Sequence, residues 1–514
     1  MSKTASALFS APAPRREVAR PLPRTASIYP LARERRRVLF VTSEMSDFVQ
    51  VGGLGAVSAS LPRALRGHCD IAILLPGYRQ VLARAPKLEI VGHLPGAGEI
   101  PPCSIGRVAT PDGLTVYIVL CEELYDRDGC PYVGAHGAEF ADNDIRFARL
   151  SLAAAQLAMA NHVGWQPESL HLNDWQTALA AGYLAWAGSS VPTLLTVHNL
   201  AHQGLFEPHR MSALAIPGEA FTMQGLEYFG KVSFLKAGMN YASHLNTVSA
   251  AYADEITRSE FGCGLEGVLL ERAQQGQLSG ILNGIDESWD PRQDRRCPYL
   301  YDHARWKGRY ADYVRGVFGL SMSRAPLFSV VSRLVHQKGV DLTLEAAKVI
   351  VELGGQLVVT GRGEARYEQA FLDLAARFSD AVGVRIGFAA EEARAIIAAS
   401  DFILMPSRFE PCGLSQMYAQ RFGAIPIASR TGGLVETIDH GRTGLLFDAS
   451  DLGAYVGTIG LAFETYGSAK RLNEMRRATM ALKYDWSCSA QRYVALYHEI
   501  SSRRVAPAAL LTIA

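Results

Sequence analysis

Net charge is nearly absent from this chain. Its 514 residues carry 51 Lys and Arg against 50 Asp and Glu, which leaves a formal net charge of +1 at pH 7. Such a balance does not favour partners that recognise charge, so neither nucleic acid nor an anionic membrane is expected as a ligand. Apolar runs of membrane-spanning length and a secretory signal segment are also lacking, which predicts a soluble protein.

Cysteine is sparse, and its spacing excludes the usual metal sites. No pair forms a C-x-x-C motif, and no Cys/His cluster has the spacing of zinc ligands. We therefore expect reduced thiols in a cytosol-like compartment. The eight cysteines are Cys69, Cys103, Cys121, Cys130, Cys263, Cys297, Cys412 and Cys488.

The charge bias that does exist is local and lies at the N-terminus. Residues 1–37 contain nine Lys or Arg against two Glu, a local charge of +7, in a segment rich in Ala, Pro and Ser without apolar periodicity. This composition predicts a disordered basic extension over residues 1–36. A transit peptide is the alternative, because such segments are rich in Arg and Ser and poor in acids, and it would replace a cytoplasmic location by a plastid.

Short apolar runs alternate with helical patterns along most of the remaining chain. Apolar strands separated by amphipathic helices are typical of a parallel sheet covered on both faces. Because the pattern occurs twice in a chain that is 48% hydrophobic, we predict an α/β protein with two doubly wound domains, residues 37–277 and 286–488. The strand-like runs include RVLFVTSE (37–44), DIAILLP (70–76), LTVYIVL (114–120), PTLLTVHN (192–199), LFSVVSRL (327–334), QLVVTGRG (356–363), FILMPS (402–407) and AIPIAS (424–429).

Each half contains Gly-Gly-Leu directly after a strand-like segment. The first is VQVGGLGAVSASLPRAL (49–65) and the second is RTGGLVETI (430–438). Glycine lets backbone N–H groups approach an anion, and the helix that follows adds a partial positive charge. Either motif alone is more often a plain tight turn than an anion site. Two of them at strand ends favour a cleft with anion sites.

Polar side chains follow two strand-like runs of the first half. HLNDW places Asp174 after a short strand, and TVHN places His198 and Asn199 after the next. Asp174 is also compatible with a helix cap, and His198 with a hydrogen-bonded structural histidine. Their shared place, where wound sheets bind ligands, makes them candidate site residues.

The second half adds cations and a carboxylate at strand ends. SRLVHQKG supplies Arg333 and Lys338, and SRFEPCGL supplies Glu410. Taken singly, these residues are compatible with surface charges and a turn residue. Together, a guanidinium and an ammonium suit a diphosphate leaving group. The cations and glycine turns favour transfer from a phosphate-bearing donor over hydrolysis by a carboxylate pair, and no Walker A or G-x-G-x-x-G motif supports a kinase or dehydrogenase.

The ordered motifs of residues 37–500 resemble those of bacterial and plastidial glycogen/starch synthases that use ADP-glucose. No single motif is specific, but their number and order are. They are VGGLGAVSASLPRALR, LYDRDGCPY, HLNDWQTAL, TVHNLAHQGLF, FGKVSFLKAGMNYASHLNTVSAAYADEI, GILNGIDESWDP, SRLVHQKGVDL, SRFEPCGLSQMYAQRFGAIPI and RTGGLVETI.

The resemblance implies a fold, a reaction and partners. The fold would be GT-B, two Rossmann-like domains facing across a deep cleft, with a final helix over 489–503 packing back on the first domain. The reaction would transfer glucose from ADP-glucose to the non-reducing end of an α-1,4-glucan such as glycogen, with retention of configuration. No cofactor and no metal would take part, and a homo-oligomer is compatible with the resemblance.

The resemblance also implies roles for individual residues. Arg333 and Lys338 would hold the donor diphosphate and stabilise departing ADP. Glu410 would face the transferred glucose and stabilise positive charge at its anomeric carbon. His198 would contact the glucose, and Asp174 would line the acceptor side.

Further residues are implied at the donor site by the same motifs. They would approach phosphate or sugar, mainly through backbone groups, and Cys412 would have no nucleophilic role. Tyr125 and Tyr132 would shape the glucan path, with simple packing as the alternative. The donor-site residues are Gln50, Gly52, Gly53, Asn199, Cys412, Gly413, Leu414, Thr431, Gly432 and Gly433.

Two positions depart from the family pattern beside the nucleotide. Gln50 stands where the family has lysine, and Ala56 stands where an acid is common. Loss of a charged contact costs about 1.5–3 kcal/mol, so donor preference stays open between ADP-glucose and UDP-glucose. The motifs are also compatible with a transferase that uses a small acceptor and with a catalytically silent glucan-binding homologue. Joint retention of Glu410, Arg333 and Lys338 with His198 argues against the silent homologue.

Overall fold

The computed structural model describes residues 35–135, 137–296, 299–301, 306–387, 389–448 and 451–502. Residues 1–34 of the predicted basic extension lie outside the described part of the chain. Within that part, the fold is α/β with two doubly wound sheets, as predicted. None of the described helices is long and apolar enough to cross a lipid bilayer.

The first sheet has nine strands among the described residues, in the order β12-β11-β7-β6-β1-β2-β5-β4-β3. All neighbours are parallel except β4, which is antiparallel to both β3 and β5. Its central strands are buried apart from the exposed first residues of β1 and β2, which explains their mainly apolar sequences. The strands are β1 (Arg37–Val41), β2 (Asp70–Pro76), β3 (Glu89–Leu94), β4 (Cys103–Ala109), β5 (Thr115–Leu120), β6 (Ser169–Asn173), β7 (Thr193–Val197), β11 (His244–Thr247) and β12 (Leu278–Gly280).

The second sheet has six parallel strands among the described residues, in the order β15-β14-β13-β16-β17-β18. This order reverses between β13 and β16, as in nucleotide-binding wound sheets. Its strands are β13 (Leu327–Val331), β14 (Gln356–Gly361), β15 (Val382–Ile386), β16 (Phe402–Met405), β17 (Ile425–Ser429) and β18 (Leu445–Phe447). A small antiparallel sheet joins β8 (Leu205–Phe206), β10 (Lys231–Ser233) and β9 (Glu227–Tyr228).

Helices cover the faces of both large sheets. Those of the first half are α1 (Gly53–Leu65), α2 (Arg79–Ala83), α3 (Glu122–Tyr125), α4 (Asn143–Met159), α5 (Trp175–Trp186), α6 (Phe234–Tyr241), α7 (Ala250–Glu255) and α8 (Glu266–Gln274). Those of the second half are α9 (Lys307–Phe318), α10 (Val340–Glu352), α11 (Ala365–Arg377), α12 (Ala390–Ala399), α13 (Ser415–Arg421), α14 (Gly432–Thr437), α15 (Leu452–Gly467), α16 (Ala469–Met480) and α17 (Trp486–Ser502).

Helix α17 packs against the first sheet although it follows the second in the chain. Tyr497 Oη lies 2.7 Å from His171 Nδ1, and Asn246 Nδ2 donates to Tyr493 Oη at 3.0 Å. Trp486 and other apolar residues of α17 belong to the core of the first sheet. The helix begins three residues before the predicted start at 489, and β12 carries the first sheet three residues past 277.

Candidate active site

The first half of the site forms where the strand order of the first sheet reverses, between β1 and β6. Wound sheets bind their ligands at this point, outside the carboxyl ends of the strands. Asp174 follows β6 directly, and His198 and Asn199 follow the neighbouring strand β7. The parallel sheet thus brings these three predicted residues together.

Asp174 holds the turn after β7 and does not cap α5. Its Oδ1 accepts a hydrogen bond from the N–H of His198 at 2.6 Å and a longer one from Asn199 at 3.4 Å, and its side chain makes no bond to the helix start. Its φ of 57° is left-handed, a strained conformation for Asp that occurs at functional sites. Burial raises the pKa of Asp174 to about 7, against the opposing effect of the two backbone donors.

His198 is a neutral imidazole with a defined tautomer. Burial lowers the pKa of His198 to about 4. Its Nε2 lies 3.0 Å from Asn173 Oδ1, while Asn173 Nδ2 donates to the Val41 carbonyl. Since the Asn173 oxygen can only accept, Nε2 carries the proton and Nδ1 is left as a hydrogen-bond acceptor.

The second half of the site forms at the reversal between β13 and β16, where Lys338 meets Glu410. Lys338 Nζ lies 2.5 Å from Glu410 Oε2. The Ser407 hydroxyl donates to the same oxygen at 3.0 Å. Glu410 is only 5% exposed, so this ion pair is largely shielded from water.

Gly339 explains how the two loops approach each other. It has φ of 63°, and a Cβ added to it would lie 1.8 Å from the carbonyl oxygen of Pro406. No other residue type fits there, so the HQKG sequence places Lys338 on a loop packed against the backbone that carries Glu410.

Arg333 is an exposed residue on the loop that carries Lys338. Its Nη2 is 3.4 Å from Gln337 Oε1 on the same loop. The charge of Arg333 also acts on His202 of the first half: burial lowers the pKa of His202, and the guanidinium lowers it further. The exposed guanidinium of Arg333 thus carries a positive charge that acts on a residue of the first half.

Glu44 anchors the first glycine turn. Its Oε2 accepts from the N–H groups of Val51 at 2.6 Å and Gly52 at 3.0 Å. Tyr132 donates to the other oxygen of the same carboxylate. Tyr132, predicted to line the glucan path, thus supports the glycine turn.

The first glycine turn adjoins the Glu410 loop of the second half. A Cβ added to Gly53 would lie 3.6 Å from Leu414 Cδ1, at van der Waals distance. Gln50 is exposed, and its Nε2 donates to the Gly52 carbonyl at 3.1 Å. The polar end of Gln50 thus bonds to the turn itself.

The second glycine turn packs against the main chain of the Glu410 loop. Gly433 N–H donates to the Glu410 carbonyl at 3.0 Å. Cβ atoms added to Gly432 and Gly433 would lie 2.0 Å from the carbonyl oxygen of Glu410 and 2.2 Å from that of Cys412. Close backbone approach therefore explains both glycines, and their approach to phosphate or sugar, like that of Thr431, stays a prediction.

The Cys412-Gly413-Leu414 segment is held from the helix that follows. Gln416 Nε2 donates to the carbonyls of Cys412 at 3.0 Å and Gly413 at 2.9 Å. Gly413 has φ of 70°, which favours glycine. Burial raises the pKa of the Cys412 thiol to about 12, so it remains protonated and is no nucleophile.

Several residues that organise the site escaped the sequence analysis. Glu44, Ser407, Gln416 and Glu255 bond to the predicted residues, but only Glu44 has a signal in its local sequence. Only the sequence pattern of a carboxylate three residues after a strand could have drawn attention to Glu44. Tyr125 is 1% exposed and donates to the Arg146 carbonyl, so it is a packing residue.

Among the residues that the structure describes, no group of three or more His, Cys, Asp or Glu side chains is arranged to hold a metal ion. The arrangement offers instead a shielded ion pair, exposed guanidinium donors and a neutral imidazole. These groups suit an anionic leaving group and a neutral polyhydroxylated ligand.

Comparison with known proteins finds starch synthase and glycogen synthase relatives over most of the chain. Residues 37–271 match the family described as starch synthase catalytic domain, and residues 320–479 match glycosyl transferases group 1. Glycogen synthase 1 of Bradyrhizobium diazoefficiens is 54% identical over 461 residues, which cover 89% of this chain and 100% of that protein. Glycogen synthase of Pseudomonas putida is 51% identical over 469 residues, covering 91% and 90% of the two chains.

A solved structure shares the whole architecture. The catalytic domain of starch synthase IV from Arabidopsis thaliana, bound to ADP and acarbose, superposes with a TM-score of 0.82 at 29% identity and covers 92% of this chain and 100% of that one. Sucrose-phosphate synthase from Thermosynechococcus elongatus, at 16% identity and a TM-score of 0.57, shares the fold alone. The chain is a GT-B glycosyltransferase and belongs to the glycogen/starch synthase family.

Proposed function

We propose that this glycogen synthase transfers glucose from ADP-glucose to the 4-hydroxyl at the non-reducing end of an α-1,4-glucan, with retention of configuration. The observation that carries the proposal is the 2.5 Å contact between Lys338 and the buried Glu410 at the reversal of the second sheet. The ADP and acarbose bound to the starch synthase IV domain support a nucleotide donor and a glucan acceptor.

The donor side uses the charges of the second half. Arg333, with its exposed guanidinium, binds the diphosphate, and Lys338 lies between that diphosphate and Glu410. As the glycosidic bond breaks, negative charge grows on the phosphate oxygen and positive charge grows at the anomeric carbon. Lys338 stabilises the first and Glu410 the second, in a site where little water screens them.

The acceptor side uses the neutral groups of the first half. His198, held by Asp174 and Asn173, offers Nδ1 to a sugar hydroxyl without placing a cation near the anomeric carbon. The departing phosphate oxygen takes the proton of the acceptor hydroxyl on the same face, so configuration is retained. We propose that no metal takes part, since the two cations already supply the charge that a divalent ion would bring.

The cellular setting is also a proposal. The two glycogen synthases named above, which are 54% and 51% identical to this chain, come from bacteria, and this supports action in the cytoplasm and not in a plastid. Glycogen is the acceptor that their names indicate.

The decisive experiment measures transfer of radiolabelled glucose to glycogen. ADP-glucose and UDP-glucose are compared at equal concentration, each with and without EDTA, and Glu410→Ala serves as the control. We expect amylase-sensitive label from ADP-glucose that resists EDTA and is lost in Glu410→Ala. Incorporation from UDP-glucose alone would show that UDP-glucose is the donor. The variant Gln50→Lys then tests whether this position sets the preference between the two nucleotides. No incorporation from either donor by folded protein would overturn the proposal.

A further inference from the structure

Helix α7 of the first half contacts both halves of the site. Tyr252 Oη accepts from Leu200 N–H at 3.2 Å, on the segment that carries His198 and Asn199. Ser249, which caps α7 by accepting from Tyr252 N–H, also donates to the Pro411 carbonyl at 2.6 Å. One short helix thus bonds to the backbone beside His198 and to the backbone beside Glu410.

Glu255 extends this contact to the second glycine turn. Its Oε1 accepts from Gly432 N–H at 2.8 Å and from the Thr431 hydroxyl at 3.1 Å. The adjacent Gly433 N–H is bonded to the Glu410 carbonyl at 3.0 Å. A continuous path of two hydrogen-bonded residues therefore links the Glu255 carboxylate to the main chain of Glu410.

The path is stiff because the glycine turn has no free space. The backbone of Gly432 is so close to the Glu410 carbonyl that an added Cβ would lie 2.0 Å from it. Any displacement of the turn must therefore displace the Glu410 backbone or break the contact. The Glu255 carboxylate, which is bonded to Gly432, is thereby coupled to the main chain of Glu410.

The reverse contact between the same helices supplies an internal control. Glu436, on α14, accepts from Ala251 N–H at 2.5 Å. It joins the two halves as Glu255 does, but the N–H group that donates to it lies on α7 and not on the glycine turn. Loss of Glu436 weakens the contact between the halves without cutting the path to Glu410.

We propose that Glu255 is a positioning residue for the transfer reaction: through Thr431 and the Gly432-Gly433 turn it fixes the Glu410 backbone relative to the first half of the site. The expected effect on kcat rests on the proposed function. The expected effect on the position of the Glu410 backbone rests on the hydrogen bonds alone. Glu255 touches no reacting atom in this scheme, so its removal acts on turnover through Glu410.

The test compares three variants: Glu255→Ala, Glu255→Gln and Glu436→Ala. Since small misplacements of a catalytic group are costly, Glu255→Ala should lower kcat about 10- to 100-fold. KM for ADP-glucose should stay within about threefold, because the diphosphate contacts remain. Glu255→Gln keeps an acceptor oxygen for both bonds and should restore most of kcat, whereas Glu436→Ala should keep kcat within about threefold.

Hydrogen–deuterium exchange of the folded variants supplies a readout that needs no activity. Glu255→Ala should speed exchange at Gly432 and Gly433, while Glu436→Ala should speed it at Ala251. Unchanged exchange at the glycine turn in Glu255→Ala would overturn the inference, as would equal losses of kcat in Glu255→Ala and Glu436→Ala. If the wild type fails to transfer glucose, the proposed function fails, and the exchange comparison still decides the positioning role.

Discussion

At the scale of single residues, the Glu410 carboxylate is bound by two side chains, one charged and one neutral. Lys338 supplies an opposite charge at 2.5 Å, and Ser407 supplies a neutral hydroxyl at 3.0 Å. Because Glu410 is only 5% exposed, little water can solvate its carboxylate when the Lys338 ammonium is removed. The stability and the activity that this pair provides can therefore be separated by mutation.

Lys338→Met should lower the free energy of unfolding by about 1–3 kcal/mol, because it leaves a buried charge unpaired. Adding Glu410→Gln should recover about half of that loss, since no charge then remains, while transfer stays abolished. Denaturant unfolding and initial rates on the single and double variants measure both effects. A double variant no more stable than Lys338→Met would contradict this account, and Ser407→Ala serves as the control for the neutral partner.

Asp174 predicts a pH dependence with a defined sign. Burial raises the pKa of Asp174 to about 7, whereas an exposed Asp titrates at about 3.9. Between these values the folded protein binds more protons than the unfolded chain, so this group lowers stability as pH rises. Asp174→Asn does not titrate, and its amide oxygen still accepts from His198 N–H.

The variant should therefore gain stability relative to wild type from pH 5 to pH 8, a range measured by denaturant unfolding at several pH values. Asp373→Asn, an exposed change on α11, controls for the introduction of an amide. A stability difference between Asp174→Asn and wild type that is the same at both ends of the range would contradict the raised pKa.

At the scale of elements, the second glycine turn packs closely on the main chain of the Glu410 loop. Gly432→Ala combines a φ of 45° with a Cβ placed 2.0 Å from the Glu410 carbonyl oxygen. It should cost more than about 2 kcal/mol, because steric overlap adds to the left-handed strain. The transfer rate should fall with it, as the Glu410 backbone moves.

Gly441→Ala is the matched control for that strain. Gly441 has φ of 78°, and nothing lies within 4 Å of an added Cβ. It should cost only the left-handed penalty of about 1–2 kcal/mol and leave transfer intact. Thermal unfolding and rates on both variants make the comparison, and equal losses of transfer would show that steric overlap at Gly432 is unimportant.

Elements were easier to predict from sequence than the contacts between them. Strands such as β2 and β13 stand out because burial on both faces requires a mainly apolar run. The three-residue β12 carries too short a run to be noticed. Asp174, His198 and Glu410 could be named because the ends of such strands form the ligand side of the sheet.

The supporting contacts could not be read from sequence, since they join distant segments. Glu255 and Gly432 are 177 positions apart, and Lys338 and Glu410 are 72 apart. Their meeting follows from strand order and from close backbone approach at Gly339 and Gly432. The sequence shows that these residues are glycines, but it does not show which backbone carbonyls they approach.

At the scale of the whole molecule, the last helix completes the core of the first sheet. The Tyr497 hydroxyl lies 2.7 Å from Nδ1 of His171, whose pKa burial lowers to about 3. Tyr497→Phe should cost about 1–3 kcal/mol, because a buried ring nitrogen loses its partner. Amides of the first sheet should then exchange faster.

Hydrogen–deuterium exchange resolved by segment tests this prediction. Tyr455→Phe, in the core of the second sheet, is the matched control, because its hydroxyl lies 3.5 Å from Thr343 and makes a weaker contact. Tyr497→Phe should leave the amides of the second sheet unchanged. Equally fast exchange in both sheets would show that the two halves open as a single unit.

The position of α17 also constrains the order in which a ribosome can produce a finished protein. The first sheet leaves the ribosome early, but Trp486, Tyr493 and Tyr497, which close its core, are synthesised only after the entire second sheet. At translation rates of about 5–20 residues per second, the first half waits about 10–40 s with an apolar face uncovered. Nascent chains of this protein are therefore exposed to aggregation until the last helix emerges. A chain terminated before α17 lacks the residues that complete the core of its first sheet.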